Sequence, residues 1–189
     1  MVNADILETS PAELLPPGVD TYKVVANLPY YITGAVIRHF LESTPQPRLM
    51  VIMVQKEVAR SITAKPGHMS LLSLGVQLFG KAEVVISVPA KSFHPVPKVD
   101  SAVVRVVPYS TYLVEPENRQ SFFRLARAGF GSPRKQLINT LSHGLDQHKN
   151  TIAGIMQTAD IAHTRRAESL SVEEWLDLYR AFRQKGVDP

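Results

Sequence analysis

Residues 49 to 54, Leu-Met-Val-Ile-Met-Val, are apolar without interruption. So short a run does not make a buried helix, and its continuity suits a central parallel strand covered on both faces. A parallel strand needs a crossover partner. Upstream, Lys23-Val24-Val25-Ala26 lies between Pro16-Pro17-Gly18 and Pro29 and reads as that partner. Between the two runs, Val36, Ile37, Phe40 and Leu41 recur at helical spacing, with Thr33 placed to cap the helix and Pro45 and Pro47 to end it. Strand, helix, strand implies a right-handed crossover and an α/β class.

A second helix is expected over 56–64, stopping before Pro66-Gly67. A third carries Met69, Leu72, Val76 and Phe79 on one face and Leu71, Leu74 and Leu78 on another, so it should be largely buried. The β-branched stretches 83–88 and 101–107 follow with no helix between them, which predicts an antiparallel pair at a sheet edge. Beyond Pro108 the periodicity is wholly helical. Phe122, Phe123, Ala126 and Phe130 mark one helix, and Leu137, Ile138, Leu141 and Leu145 the next. Ile152, Ile155 and Met156 mark a short third. Ser171 with Glu174 forms a capping box ahead of Val172, Trp175, Leu178, Tyr179 and Phe182. The expected division is residues 1–112, an α/β domain, and 113–189, a small helical domain. Asn3-Ala4-Asp5-Ile6-Leu7 reads as the end of a strand entering a loop, so a chain opening there is expected to lack the start of its fold.

Composition narrows the chemistry. The chain has 189 residues and no cysteine, which removes disulfide frameworks, cysteine-ligated zinc, iron–sulfur clusters and thiol nucleophiles. The 6 histidines show no paired ligand spacing, so no metal is expected, and no Gly-x-Ser-x-Gly elbow points to hydrolysis. No apolar run approaches the length of a membrane span and no signal peptide opens the chain, so a cytoplasmic protein is expected. The net charge of +4 and pI near 9.4 favour an anionic partner such as RNA. From Arg119 to Lys149 there are six basic residues, Arg119, Arg124, Arg127, Arg134, Lys135 and Lys149, against Asp146 alone. Arg134 and Lys135 are expected just inside a helix begun by Ser132 and Pro133, where each opposes the macrodipole at about 0.3–1 kcal/mol. A cost of that kind suggests service to an external phosphate. A solvated basic face is the alternative.

The first strand delivers Asn27-Leu28-Pro29-Tyr30 at its carboxyl end, where ligands bind in open α/β sheets. An exocyclic amine on a base is a poor nucleophile because its lone pair is delocalised into the ring. An enzyme that alkylates it must hold the nitrogen in line with the donor. An asparagine carbonyl and the backbone carbonyl before a proline can both accept from such an amine, and a neighbouring tyrosine offers a stacking surface. The proline stiffens the turn. The same four residues also suit a rigid strand end with a packed aromatic. A second candidate lies in Ser92-Phe93-His94-Pro95-Val96-Pro97-Lys98-Val99-Asp100-Ser101. Alternate prolines are expected to hold it extended, with Phe93 as a second stacking wall and Lys98 as a phosphate contact. A connection whose Phe93 plugs the core is the alternative.

Asn27-Leu28-Pro29-Tyr30, Gln55-Lys56-Glu57-Val58 and Phe93-x-Pro95-x-Pro97-Lys98-Val99-Asp100-Ser101-Ala102-Val103-Val104 together resemble the ribosomal RNA adenine dimethyltransferase family. Arg134-Lys135 after Phe130, and Arg166-Ala167-Glu168 with Leu170-Ser171, resemble its small-subunit (16S) branch. The resemblance implies a partial Rossmann-like class I methyltransferase sheet followed by a small all-helical C-terminal domain. It implies S-adenosyl-L-methionine as cofactor and dimethylation of adenosine N6 in small-subunit rRNA during ribosome biogenesis, with the small ribosomal subunit precursor as partner. Carried over residue by residue, Asn27, Leu28, Pro29 and Tyr30 match the motif holding the target amine, Asn27 also lying near the donor. Phe93 matches the aromatic packed on the target base, and Asp5 the acid that contacts the donor's adenine. The family's glycine-rich donor loop and ribose-binding acid lie upstream of the position matching Asp5. The sole Gly-x-Gly here, Gly129-Phe130-Gly131, follows a helix and reads as its stop. Met69-Ser70 stands where the family usually has Tyr-Gly. Two other functions remain open: a non-catalytic RNA-binding or ribosome-assembly module, and a large-subunit rRNA adenine methyltransferase conferring antibiotic resistance.

Overall fold

The computed structural model describes residues 2–189. Its elements are α1 (Pro11–Leu14), β1 (Lys23–Asn27), α2 (Thr33–Glu42), β2 (Leu49–Gln55), α3 (Lys56–Ile62), α4 (Leu71–Gln77), β3 (Gly80–Val88) and β4 (Ser101–Pro108), then α5 (Arg119–Phe130), α6 (Leu137–Gly144), α7 (Lys149–Thr158) and α8 (Val172–Gln184). The strands form one sheet in the order β1-β2-β4-β3, with β1 and β2 parallel and β4 antiparallel to both of its neighbours. The strand, helix, strand unit and the antiparallel pair follow the apolar runs that predict them.

Register explains the core. Val24 pairs with Met50 and Met50 with Val106, Ile52 pairs with Val104, and Val54 with Ala102. These residues are buried, and their side chains share one face because alternate residues of a strand do. Each large side chain so covered contributes about 1.5–3 kcal/mol. The other face differs from expectation. Val51 and Met53 are half-buried and Val25 is 78% exposed, so β2 is covered on one face and only partly on the other. Burial follows what packs against a face, and an unbroken apolar run does not by itself bring a second layer.

Two helix starts also depart from expectation. Thr33 is the first residue of α2 and its hydroxyl donates to the Pro29 carbonyl at 3.3 Å, so Ile32 holds the cap position and Thr33 does not cap. α4 is shorter than its periodicity because Ser70 and Ser73 cap it reciprocally. The Ser73 N–H donates to the Ser70 hydroxyl at 3.2 Å and the Ser70 N–H to the Ser73 hydroxyl at 2.6 Å.

The chain divides into two compact units, 1–63 with 75–110, and 64–74 with 111–189. In the second, the Glu168 carbonyl accepts from the N–H groups of Gly67 (2.8 Å) and Met69 (3.1 Å), which ties 64–74 to the helices. Trp175 is fully buried and stacks on Phe130 at 5.3 Å between centroids. Gly129 admits the indole: a Cβ there would fall 2.4 Å from Trp175 Cη2. The capping box at Ser171 and Glu174 is present, and Arg165 donates to both Glu174 oxygens. Gly131 ends α5 with ordinary helical backbone angles. Among the described residues, no helix is long and apolar enough to cross a membrane.

Candidate functional site

The carboxyl end of β1 is built in steps. The Leu28 N–H donates to the Met53 carbonyl at 3.3 Å, carrying the parallel ladder one residue past Asn27 while the Leu28 side chain enters the core. Pro29 then turns the chain, and its carbonyl accepts from the Ile32 N–H at 3.2 Å and from the Thr33 hydroxyl. This closes a 3₁₀ turn over Tyr30–Ile32. Asn27 is left exposed on the face of the sheet that carries Val25. Tyr30 is half-buried and its hydroxyl lies 2.9 Å from the Ser101 hydroxyl, whereas neighbouring Tyr31 is 90% exposed.

The loop between β3 and β4 closes on itself, contrary to the extended segment its prolines predict. It makes a 3₁₀ turn at Ala90–Ser92 and bends at 93–95 and 98–99. The cause is Asp100. One of its oxygens accepts the Ala90 N–H at 3.0 Å and the other the Lys56 ammonium at 3.1 Å, while its carbonyl accepts the Lys56 N–H at 3.0 Å. The loop's two ends are thereby pinned to each other and to the turn after β2. The Ala90 N–H, then Lys56, hold the Asp100 carboxyl below the ordinary aspartate range. Phe93 sits half-buried within the closed loop, its N–H donating to the Ala90 carbonyl at 3.1 Å. Asp100 and Ser101 thus bind three segments together: the turn at Tyr30, the turn at Lys56, and the loop bearing Phe93. Sequence reading finds these residues in the motifs but misses this role, because a clasp depends on register between β2 and β4.

The remaining candidates take no part in that clasp. Asp5 is exposed and one carboxylate oxygen accepts the Leu7 N–H at 2.9 Å, closing a turn, and no strand precedes it among the described residues. Ile6 lines a groove of about 420 Å³ with Val24, Ala26 and Leu28, so this turn borders β1. Lys98 is exposed in the loop. Arg134 and Lys135 belong to the helical unit and are exposed, in the turn before α6 and not inside it. α6 begins at Leu137, whose N–H donates to the Arg165 carbonyl at 2.8 Å, so their macrodipole penalty is smaller than expected. Asn27 and Asp5, which the resemblance implies face the methyl donor, are both exposed, with polar side chains able to hydrogen-bond such a ligand. Among the described residues no glycine-rich turn follows a strand. No cluster of three or more metal-ligating side chains occurs among them either.

Residues 1–184 match the profile of the family described as Ribosomal RNA adenine dimethylase. A curated relative, Ribosomal RNA small subunit methyltransferase A of Dehalococcoides mccartyi (strain BAV1), is 50% identical over 178 residues, 94% of this chain and 61% of its own length. The protein of the same name from Enterococcus faecalis is 43% identical over 167 residues, 86% of this chain and 57% of its own. This chain therefore spans about three-fifths of the curated relatives it matches. Among solved structures, a dimethyladenosine transferase from Plasmodium falciparum superposes with a TM-score of 0.78 at 27% identity, covering 98% of this chain and 73% of that one. The 23S rRNA methyltransferase ErmE superposes at 0.72 with 26% identity, covering 97% and 71%.

Proposed function

The chain belongs to the ribosomal RNA adenine dimethylase family, and from that premise we propose that it is the target-base and RNA-recognising portion of an enzyme that dimethylates adenosine N6 in small-subunit rRNA during ribosome biogenesis. The observation that carries this reading is the Asn27–Tyr30 segment, held at the carboxyl end of a parallel strand and tied through Ser101 to the strand that follows the Phe93 loop.

S-adenosyl-L-methionine would supply an electrophilic methyl group. The residues of this chain act on the nucleophile. The Asn27 side-chain carbonyl and the Leu28 backbone carbonyl accept from the N6 amine and hold its orientation, and rings at Tyr30 and Phe93 clamp the base once it has left its stack. The Tyr30 hydroxyl stays with Ser101, so the ring is positioned before the base arrives. Lys98 on the sheet unit, and Arg134 and Lys135 on the helical unit, contact RNA phosphates. The 50% identity to a small-subunit methyltransferase, against 26% to the 23S enzyme, favours 16S over 23S rRNA as substrate.

Mass-spectrometric detection of N6,N6-dimethyladenosine in under-methylated small subunits, after incubation with the protein and the donor, tests this reading. Product on large-subunit rRNA alone refutes the substrate. Asn27→Ala in the complete enzyme should lower kcat far more than RNA affinity, and a large loss of affinity at unchanged kcat refutes the role of Asn27. A second reading, an RNA-binding module without catalysis, is supported by the exposed basic side chains of the helical unit, Arg127, Arg134 and Lys135. Calorimetric titration of the donor into the folded chain separates the two.

A further inference from the structure

Tyr31 is 90% exposed, whereas the next most exposed tyrosines, Tyr112 and Tyr109, stand at 43% and 41%. Among the described residues its side chain has no hydrogen-bond or ring partner. A single apolar group at a surface is ordinary, so exposure alone assigns nothing. The mount of this ring and its position set it apart.

The backbone that carries Tyr31 is anchored on both sides. Before it, Leu28 enters the core and the Tyr30 hydroxyl meets that of Ser101 at 2.9 Å. After it, the Ile32 N–H donates to the Pro29 carbonyl at 3.2 Å, and the Thr33 hydroxyl, buried, donates to the same carbonyl at 3.3 Å. A tyrosine has only two side-chain torsions to fix, so a ring carried on such a turn loses little freedom when it meets a flat partner. The chain that follows leaves it open, since the first turn of α2 presents Gly34 and Ala35 at the surface and contains no acidic residue.

Position decides what the ring can meet. Tyr30 and Tyr31 share one 3₁₀ turn, in which successive side chains diverge by about 120° because it has about three residues per turn. The Tyr31 ring therefore addresses the space beside the base that Tyr30 clamps. A base drawn out of its stack leaves its neighbour in the strand with an uncovered face, and that lost stacking is part of the cost of extrusion. An aromatic side chain can cover such a face whatever the base, because every base has one.

We propose that Tyr31 stacks on the nucleotide next to the target adenosine and replaces the stacking lost when the target is extruded. The contact rests on the reading of Asn27–Tyr30 given above and adds to it a subsite for the flanking nucleotide. It is a ring face and carries no charge, so it favours unpaired RNA without reading its sequence.

The test is fluorescence anisotropy of labelled small-subunit rRNA fragments with the whole chain. Tyr31→Ala should weaken binding by about 5- to 150-fold, the worth of one base–aromatic stack, and Tyr31→Phe should keep it. The slope of log K against log salt should be the same in all three proteins, because no phosphate contact is removed. Circular dichroism checks folding. Fragments carrying one abasic nucleotide at successive positions locate the contact: at one position the loss caused by Tyr31→Ala should vanish, and that position should adjoin the adenosine that mass spectrometry finds dimethylated by the complete enzyme. Its coincidence with that adenosine makes Tyr31 a wall of the target clamp and overturns the flanking subsite, as does a position elsewhere in the fragment. RNA binding that Tyr31→Ala leaves unchanged overturns the role of Tyr31 and leaves the RNA reading standing. No RNA binding by the unsubstituted chain overturns both.

Discussion

Gly129→Ala probes the joint between α5 and α8. The added Cβ would lie 2.4 Å from Trp175 Cη2, 3.1 Å from Leu137 Cδ1 and 3.3 Å from Trp175 Cζ3. Carbon atoms pack best at about 3.5–4.0 Å, so the indole would have to withdraw by roughly 1 Å. It has no room, being fully buried and stacked on Phe130. Overpacking of this kind costs about 1–3 kcal/mol, against about 0.8–1 kcal/mol gained by replacing glycine inside a helix. Gly154→Ala in α7 is the matched control, because nothing lies within 4 Å of its Cβ and only the helical gain applies. The variants should therefore differ by about 1–3 kcal/mol, the cost of packing alone. Trp175 is the only tryptophan in the chain, so thermal unfolding followed by its fluorescence reports on the helical unit. Gly154→Ala should raise Tm by about 3–8 °C and Gly129→Ala should not. Equal stabilisation by both would refute the claim that Gly129 is required by the seat of Trp175.

Other expectations concern the clasp and the last helix. Ser101→Ala removes the partner of the Tyr30 hydroxyl and should cost about 0.5–1.5 kcal/mol, with faster amide hydrogen exchange over residues 28–33. Asp100 has a folded pKa below its unfolded one, so its contribution is present above the ordinary aspartate range and is lost as pH falls through the depressed value. The Ala90 amide resonance should titrate at that lower pH, and Asp100→Asn should abolish the transition. Ser171→Ala removes one arm of the capping box and should cost about 0.5–2 kcal/mol in urea denaturation read by Trp175 fluorescence. Glu174 is likewise held below the ordinary glutamate range, by Arg165 foremost, so acid should loosen the start of α8 as pH falls through that depressed value.

Elements are legible where a local pattern decides them. The run at 49–54 becomes β2, and Ser171 and Glu174 cap α8, because the periodicity or the cap lies within a few residues. Reading fails where a partner far along the chain decides. Burial on both faces of β2 depends on what covers Val25, Val51 and Met53, and that is not written in 49–54. The turn holding Arg134 and Lys135 looks helical until the Leu137 N–H is found on the Arg165 carbonyl. Local propensity is a weak prior at such a junction, and a tertiary hydrogen bond overrides it.

The candidate site shows the same division at higher resolution. Asn27 and the backbone turn at Tyr30 are set by one strand end and one proline, so that much follows from a short stretch of sequence. Phe93 is different. Its loop contains prolines that favour an extended path, yet Asp100 closes it by accepting from Ala90 and Lys56. Lys56 reaches Asp100 because β2 and β4 pair with Gln55 opposite Ser101, which sets the next residue of one segment beside the preceding residue of the other. The same register puts the Ser101 hydroxyl at Tyr30. One antiparallel pairing therefore holds both aromatics of the candidate clamp, and a one-residue slip would separate Asp100 from Lys56 and turn Ser101 to the opposite face. The motif residues are recognisable one at a time, but their joint geometry belongs to the register.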